Sequence, residues 1–422
     1  MPSVKFLGRK VIKSLTNGRE TGNMLTEKTL ERYADVLLWA LKTAKKVAMK
    51  RNEIVLIQYD LPALRLAEIL YGRLLDLGIR PVQHMTATFG MEHSFYQKAN
   101  PSQLTFIAPG DKELFGSING RIYLHAPQSL THLKDIDPAK IGKAIVSRKP
   151  LKDILDKREE LRKYSWTLCI LPTEELARQA KMSLAQYTAQ VIKGCYLDSD
   201  DPVAQWKRIH QEIMAIKRRL SSLAVKYFHM ESANMDLRIT PGSKRKWAGV
   251  SGHNVPSFEV FVSPDWRGTE GVYFANLPSF RSGNYIEDVR ITFTKGRAVK
   301  IEAKQGEEFV KKQLAMDAGA CRVGEFSLTD KRFSRIDRFM AETLFDENFG
   351  GKDGNCHIAL GSSYSDAYSG DPARLTPALK KKLGFNDSAL HWDLVNTEPK
   401  MVTAHLISGK KVIIYDRGVF TL

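Results

Sequence analysis

Seven residues in the last third of the chain have side chains suited to holding a metal ion or working beside one: Glu259, Glu325, Glu347, His357, Tyr364, His391 and Asp393. Carboxylate oxygen and neutral imidazole nitrogen are donors that divalent Zn, Co and Mn accept. In His391-x-Asp393 on an extended segment, residues i and i+2 share a face, so one imidazole and one carboxylate can reach a single point. His357 precedes Ile-Ala-Leu-Gly, an apolar run that would bury the imidazole and oblige it to find a partner. Taken singly, each residue has a plainer reading, because acidic side chains are mostly solvated and a lone histidine usually hydrogen-bonds within a core. Their concentration among short apolar strands and glycine turns is what points to a metal.

The elements that position them follow from periodicity. A length of 422 residues predicts two domains, with composition changing near residue 230. Over 1–229, helical spacing runs through residues 24–51, with Leu30, Tyr33, Val36, Leu37 and Leu41 on one face. The strand Glu53–Gln58, a helix over 62–77 closed by Gly78, and the strand Ile79–Met85 complete a βαβ unit. Further strands are expected at 104–107, 121–124 and 166–171. Helices are expected from Thr173, as N-cap, through Ser183 to Ile192, and from Pro202 to about Tyr227. The expectation is an α/β N-terminal domain with an open, largely parallel sheet. Over 230–422 strands dominate, at 235–239, 258–262, 285–294, 298–303 and 411–415, with helix only at about 307–318 and 333–345, an α+β domain holding every candidate ligand.

Composition narrows the function. No Gly-x-Gly-x-x-Gly follows the first strand and no phosphate-binding Gly-x-x-x-x-Gly-Lys-Ser/Thr occurs. Four scattered cysteines without Cys-x-x-Cys argue against disulfide frameworks and thiolate zinc. Cys356 beside His357 is a poor nucleophile–base pair, since neighbours on a strand face opposite ways. No apolar run approaches bilayer length and Met1–Lys10 has no signal-peptide core, so a cytoplasmic protein is expected. The net charge of +17 would suit a polyanion, but its knots at 42–51, 143–163, 207–219, 244–246 and 380–382 read as solvated helix faces and turns, and nucleic acid is not the expected partner.

The chain resembles the thermophilic-type metallo-aminopeptidases, a family typified by aminopeptidase T, aminopeptidase S and PepS. The resemblance rests on ordered motifs: Tyr33-Ala34-Asp35-Val36-Leu37, Pro172-Thr173, Asp201-Pro202-Val203 with Trp206, Asn254-Val255-Pro256 with Glu259-Val260-Phe261, Gly324-Glu325, Phe345-Asp346-Glu347-Asn348, His357 to Gly361, and His391-Trp392-Asp393. It implies two divalent ions (Zn, Co or Mn) held by Glu259, Glu325, Glu347, His357, His391 and Asp393, with Glu325 as the bridge and Tyr364 beside them. It further implies release of N-terminal residues from short peptides with a free N-terminus, and a homodimer. Glu325 or Glu347 would take the proton of the attacking water, and Tyr364 would donate to the oxyanion. Three features depart from the family pattern: the longer run Phe349–Cys356, His253 before Asn254, and the basic excess. Two other classes remain open at this level. One is a different two-metal hydrolase, an amidase or phosphoesterase. The other is a non-catalytic basic binding protein on the same fold.

Overall fold

The computed structural model describes residues 25–422. The basic start Met1–Lys10 lies outside them. Five parallel strands form the first sheet, in the order Arg80–Met85, Ile54–Tyr59, Gly120–His125, Trp166–Ile170, Asn254–Val255. The helix Glu27–Lys45 lies against it, capped by the Thr26 side chain on the Thr29 N–H, with Tyr33, Val36, Leu37, Ala40 and Leu41 fully buried. Full burial of each larger aliphatic side chain stabilises by about 1.5–3 kcal/mol. That helix stops six residues before the predicted end, because Lys46 turns left-handed at φ 59°.

The remaining strands are antiparallel, in a nine-stranded sheet and a four-stranded sheet. The architecture is therefore mixed α/β, one parallel sheet with helices followed by separate antiparallel sheets. The strand Asn254–Val255, from beyond residue 230, is the edge strand of the parallel sheet, paired with Leu168 and Cys169. A single apolar cluster also runs through both halves, including Tyr33, Val191, Trp206, Phe258, Phe326 and Tyr415.

Several sequence expectations fail locally, each for a physical reason. The strand expected at 104–107 is instead the end of a helical turn, Pro101–Leu104, because Asn100 and Gln103 close a reciprocal capping box around Pro101. The helix expected from Thr173 to Ile192 is two helices, Glu174–Gln179 and Leu184–Gly194. Lys181 at φ 56° breaks it, and Ser183 caps the second helix rather than continuing the first. The helix from Pro202 ends at Ser222, and Val225–Glu231 is already a strand. The helix expected over 333–345 is mostly irregular, with a single helical turn at Thr343–Asp346. Its apolar residues Ile336, Met340 and Phe345 are each buried, while the Asp346 carboxylate takes the N–H groups of Met340 and Glu342 and holds the loop in shape.

A candidate metal centre in the four-stranded sheet

Four antiparallel strands carry the site: His391–Asn396, Asn355–Gly361, Val323–Thr329 and Glu259–Val262, in that order. Their two faces divide the labour. Val260, Val262, Phe326, Leu328, Ile358 and Trp392 alternate onto the apolar core. The opposite face carries Glu259, Glu325, His357, His391 and Asp393.

Register explains how they converge. Glu325, Ala359 and Asp393 lie in one cross-strand row, so two carboxylates flank a small methyl side chain. Two residues to one side of that row His357 stands opposite Ser327, and two residues to the other side Gly361 stands opposite His391. Gly324, just before Glu325, has to be glycine, since a Cβ there would lie 2.3 Å from the Gly361 carbonyl oxygen. Glu347 arrives from outside the sheet, on the turn after Thr343–Asp346. Asn348 ties that turn to the strand bearing Glu259: its Oδ1 accepts from the Phe258 N–H at 2.6 Å, and its Nδ2 donates to the Leu344 carbonyl at 2.9 Å. Phe258 in turn stacks on the buried Trp206, with ring centroids 5.2 Å apart.

His357 Nε2 lies 3.2 Å from Glu325 Oε1, 3.3 Å from Glu259 Oε2 and 3.8 Å from Asp393 Oδ1. His391 Nε2 lies 3.5 Å from Asp393 Oδ1 and 4.0 Å from Glu325 Oε2. Donor atoms fall into three overlapping groups, each within 4.8 Å: Glu259, Glu325 and His357; Glu325, His391 and Asp393; Glu347, His357 and Asp393. Glu325 and Asp393 are the carboxylates shared between groups. Tyr364 supplies no metal donor to these groups but stands beside them, its ring 4.6 Å from that of His391 and 5.9 Å from Phe261.

The electrostatics fit a cation. Four carboxylates share a buried site, and among the described residues no lysine or arginine forms an ion pair with any of them. Glu325 Oε2 is buried with no hydrogen-bond partner. Burial pushes the Glu325 carboxyl up to about 7, with the Glu259 charge adding and the His357 hydrogen bond opposing. Burial also drives Glu347 well up, helped by Glu259 and Asp393. Asp393 stays low against its burial because His391 sits beside it. His357 is held well above the usual imidazole range by Glu259 and Glu325 although burial works the other way. Such a cluster is costly without positive charge, and its oxygen and imidazole donors are those that hard and borderline divalent ions take. His391 Nδ1 lies 2.9 Å from the Ser362 carbonyl, so that nitrogen carries a proton and Nε2 is the one that faces the cluster.

The cluster forms one wall of a cavity of about 1300 Å³. Glu259, Glu325, Glu347, Tyr364, His391 and Asp393 line it, and His357 lies just beneath. The lining also includes residues of the helices Lys149–Glu160 and Pro377–Leu383. Basic stretches read from sequence as solvated surface thus supply cavity wall, with Lys149, Lys152, Lys157, Lys380 and Lys381 among them.

The model of the thermophilic metalloprotease (M29) family matches residues 26–420. The chain belongs to this family. Aminopeptidase AmpS of Bacillus subtilis (strain 168) is 30% identical over 241 residues, 54% of this chain and 57% of that protein. Aminopeptidase T of Thermus aquaticus is 30% identical over 260 residues, 59% and 60% of the two chains. The chain therefore spans less than two thirds of the length of these curated relatives. Among solved structures, wild-type AmpT from Thermus thermophilus matches with a TM-score of 0.73 at 20% identity, covering 94% of this chain and 100% of its own, which is a likeness of fold.

In this M29 chain the structure brings all six sequence-selected donors together and sets Tyr364 at their edge. Sequence reasoning did not assign roles to the residues that hold them. Asn254, quoted only as part of a motif, donates from Nδ2 to Glu347 Oε1 at 3.0 Å, and the Ser362 carbonyl orients His391. Ser327, 3.4 Å from Glu259 Oε2, gave no sequence signal at all. Supporting groups of this kind typically contribute 10- to 100-fold in metal affinity. Asn254→Ala should therefore lose metal to a competing chelator at a roughly 10-fold lower chelator concentration, with its fold unchanged by circular dichroism. Unaltered metal retention would leave Asn254 as packing only.

Proposed function

We propose that this M29 chain is a metal-dependent aminopeptidase that releases N-terminal residues from short peptides, using two divalent ions (Zn, Co or Mn) held by Glu259, Glu325, Glu347, His357, His391 and Asp393. The observation that carries it is the convergence of four carboxylates and two imidazoles, without a paired lysine or arginine, on the wall of a cavity large enough for a peptide. Bound there, two such ions would supply an activated water and polarise the scissile carbonyl.

The chain's own residues do the rest. Glu325, shared between two donor groups, would serve both ions. A cluster carboxylate, Glu325 or Glu347, would accept the water's proton and pass it to the leaving amine. Tyr364 donates to the oxyanion. A cluster carboxylate receives the substrate's free α-amine, which restricts cleavage to the first residue. The same reading carries a homodimer and a cytoplasmic location; among the described residues no helix is long and apolar enough to cross a membrane.

Elemental analysis of untagged protein, paired with leucyl-peptide hydrolysis before chelation, after it, and after adding back Zn, Co or Mn, tests the reading. About two ions per chain and chelator-sensitive release of leucine are expected, with an N-acetylated copy of the peptide left intact. Metal with cleavage of amides or phosphoesters instead would move the chain to another hydrolase class. Failure to bind any of the three ions would remove the catalytic assignment.

A further inference from the structure

The proposed chemistry uses the carboxylate and imidazole wall of the cavity and leaves its cations unexplained. Most of these are already neutralised: Lys149 pairs with Asp153 and Asp387, Lys152 with Asp156, Lys380 with Glu160, and Lys46 with Asp366. Among the described residues Arg162, Lys246, Lys381 and Arg322 line the cavity without an ion pair, and of these Arg322 is the one stacked on an aromatic ring. Its Nε is buried without a hydrogen-bond partner. Its guanidinium carbon sits 3.9 Å from the ring centroid of Trp266, and both residues line the cavity.

Its position relative to the site is fixed by the backbone. The Arg322 carbonyl accepts from the Gly361 N–H at 2.8 Å, and Gly361 stands opposite His391 in the sheet register. Arg322 is also three residues before Glu325, roughly 10 Å of extended chain at most. Its backbone therefore stands at the His391 end of the metal cluster, within a short peptide's length of Glu325.

An arginine held flat on an indole face has little rotamer freedom left to lose, and its fork of N–H donors matches a carboxylate bidentately. We propose that Arg322, oriented by Trp266, is a specificity-determining residue that binds a carboxylate of the peptide downstream of the scissile bond. The inference rests on the aminopeptidase reading and adds to it a substrate class, short peptides carrying negative charge beyond the first residue. Two sources can supply that charge, the peptide's own C-terminus or an acidic side chain.

Three peptides separate them in the metal-loaded enzyme: Leu-Gly-Gly, its C-terminal amide, and Leu-Gly-Glu amide. Leu-Gly-Gly should exceed its amide in kcat/KM by about 10-fold, chiefly through KM, as expected of a charge-assisted contact. Recovery in Leu-Gly-Glu amide would assign the contact to a side-chain carboxylate, and its absence to the C-terminus. In Arg322→Gln the acid-to-amide ratio should fall toward one, whereas Lys381→Gln, which removes another cavity-lining cation, should preserve the ratio. Equal turnover of acid and amide by the wild-type enzyme would overturn the subsite while leaving the aminopeptidase reading intact. An undiminished ratio in a folded Arg322→Gln protein would overturn the assignment to Arg322. Cleavage of none of the peptides would overturn the aminopeptidase reading, and the subsite with it.

Discussion

Replacing Glu325 with Gln is expected to lower peptidase activity about 10²- to 10⁴-fold while making the metal-free protein more stable at alkaline pH. The two effects have one origin. Glu325 stands where donor groups overlap, beside Glu259 and both imidazoles, so its charge belongs to the ions and is unwelcome without them. Burial raises its carboxyl to about 7 in the metal-free fold, against about 4.3 in an unfolded chain. A raised carboxyl pKa means that the native state binds the proton more tightly than the unfolded one. The native state is thus unpenalised below about pH 4, and stability is lost as pH rises from there through 7, by an amount on the order of 3–4 kcal/mol.

Glutamine keeps the shape and removes the ionisation. Chemical denaturation of chelated protein should show wild type and Glu325→Gln converging near pH 4 and separating by pH 8, with the variant the more stable. Adding metal should reverse the order, because an ion that binds only the native state stabilises wild type by mass action and finds one carboxylate fewer in the variant. A variant that is less stable than wild type at pH 8 without metal would show that the four carboxylates do not repel one another as the packing implies.

Much of the site was legible because a strand repeats every two residues. His391-x-Asp393 is a same-face pair by spacing alone, and the strand His391–Asn396 realises it. The burial of His357 followed from the apolar run after it, and its side chain is fully buried. The gathering of Glu259, Glu325 and Glu347 is another matter. They come from two strands and a turn, so no spacing in the sequence pairs them, and their placing in one ligand set came with the family resemblance. Nothing local marks Ala359 as the small residue between two carboxylates, since that depends on register across three strands.

The misread elements share this cause. Residues 333–345 carry apolar side chains at near-helical intervals, yet each is anchored separately and Asp346 replaces the helical hydrogen bonds. Val255 and its neighbour are too short a run to read as a strand, and they become one by docking beside Cys169 in the first sheet. The lysine-rich helix faces are solvated as expected, Lys157 and Lys381 being exposed, and what the sequence did not show is that they also border the cavity.

Tyr364→Phe should reduce kcat about 10²- to 10³-fold while KM and metal content change little. The ring's packing against His391 and Phe261 survives in phenylalanine, so the substitution isolates the hydroxyl. Burial, and then the charges of Glu325, Asp393 and Glu347, hold the phenol well above its ordinary range, which keeps it protonated and able to donate throughout the working pH. The backbone holds it there too, because the Tyr364 N–H donates to Ser263 Oγ at 2.9 Å. A donor fixed before reaction stabilises charge as it develops without reorganising, so its loss falls on kcat rather than on binding. If Tyr364→Phe turned over at the wild-type rate with both ions in place, the hydroxyl would have no part in the chemistry and Tyr364 would serve only to hold His391.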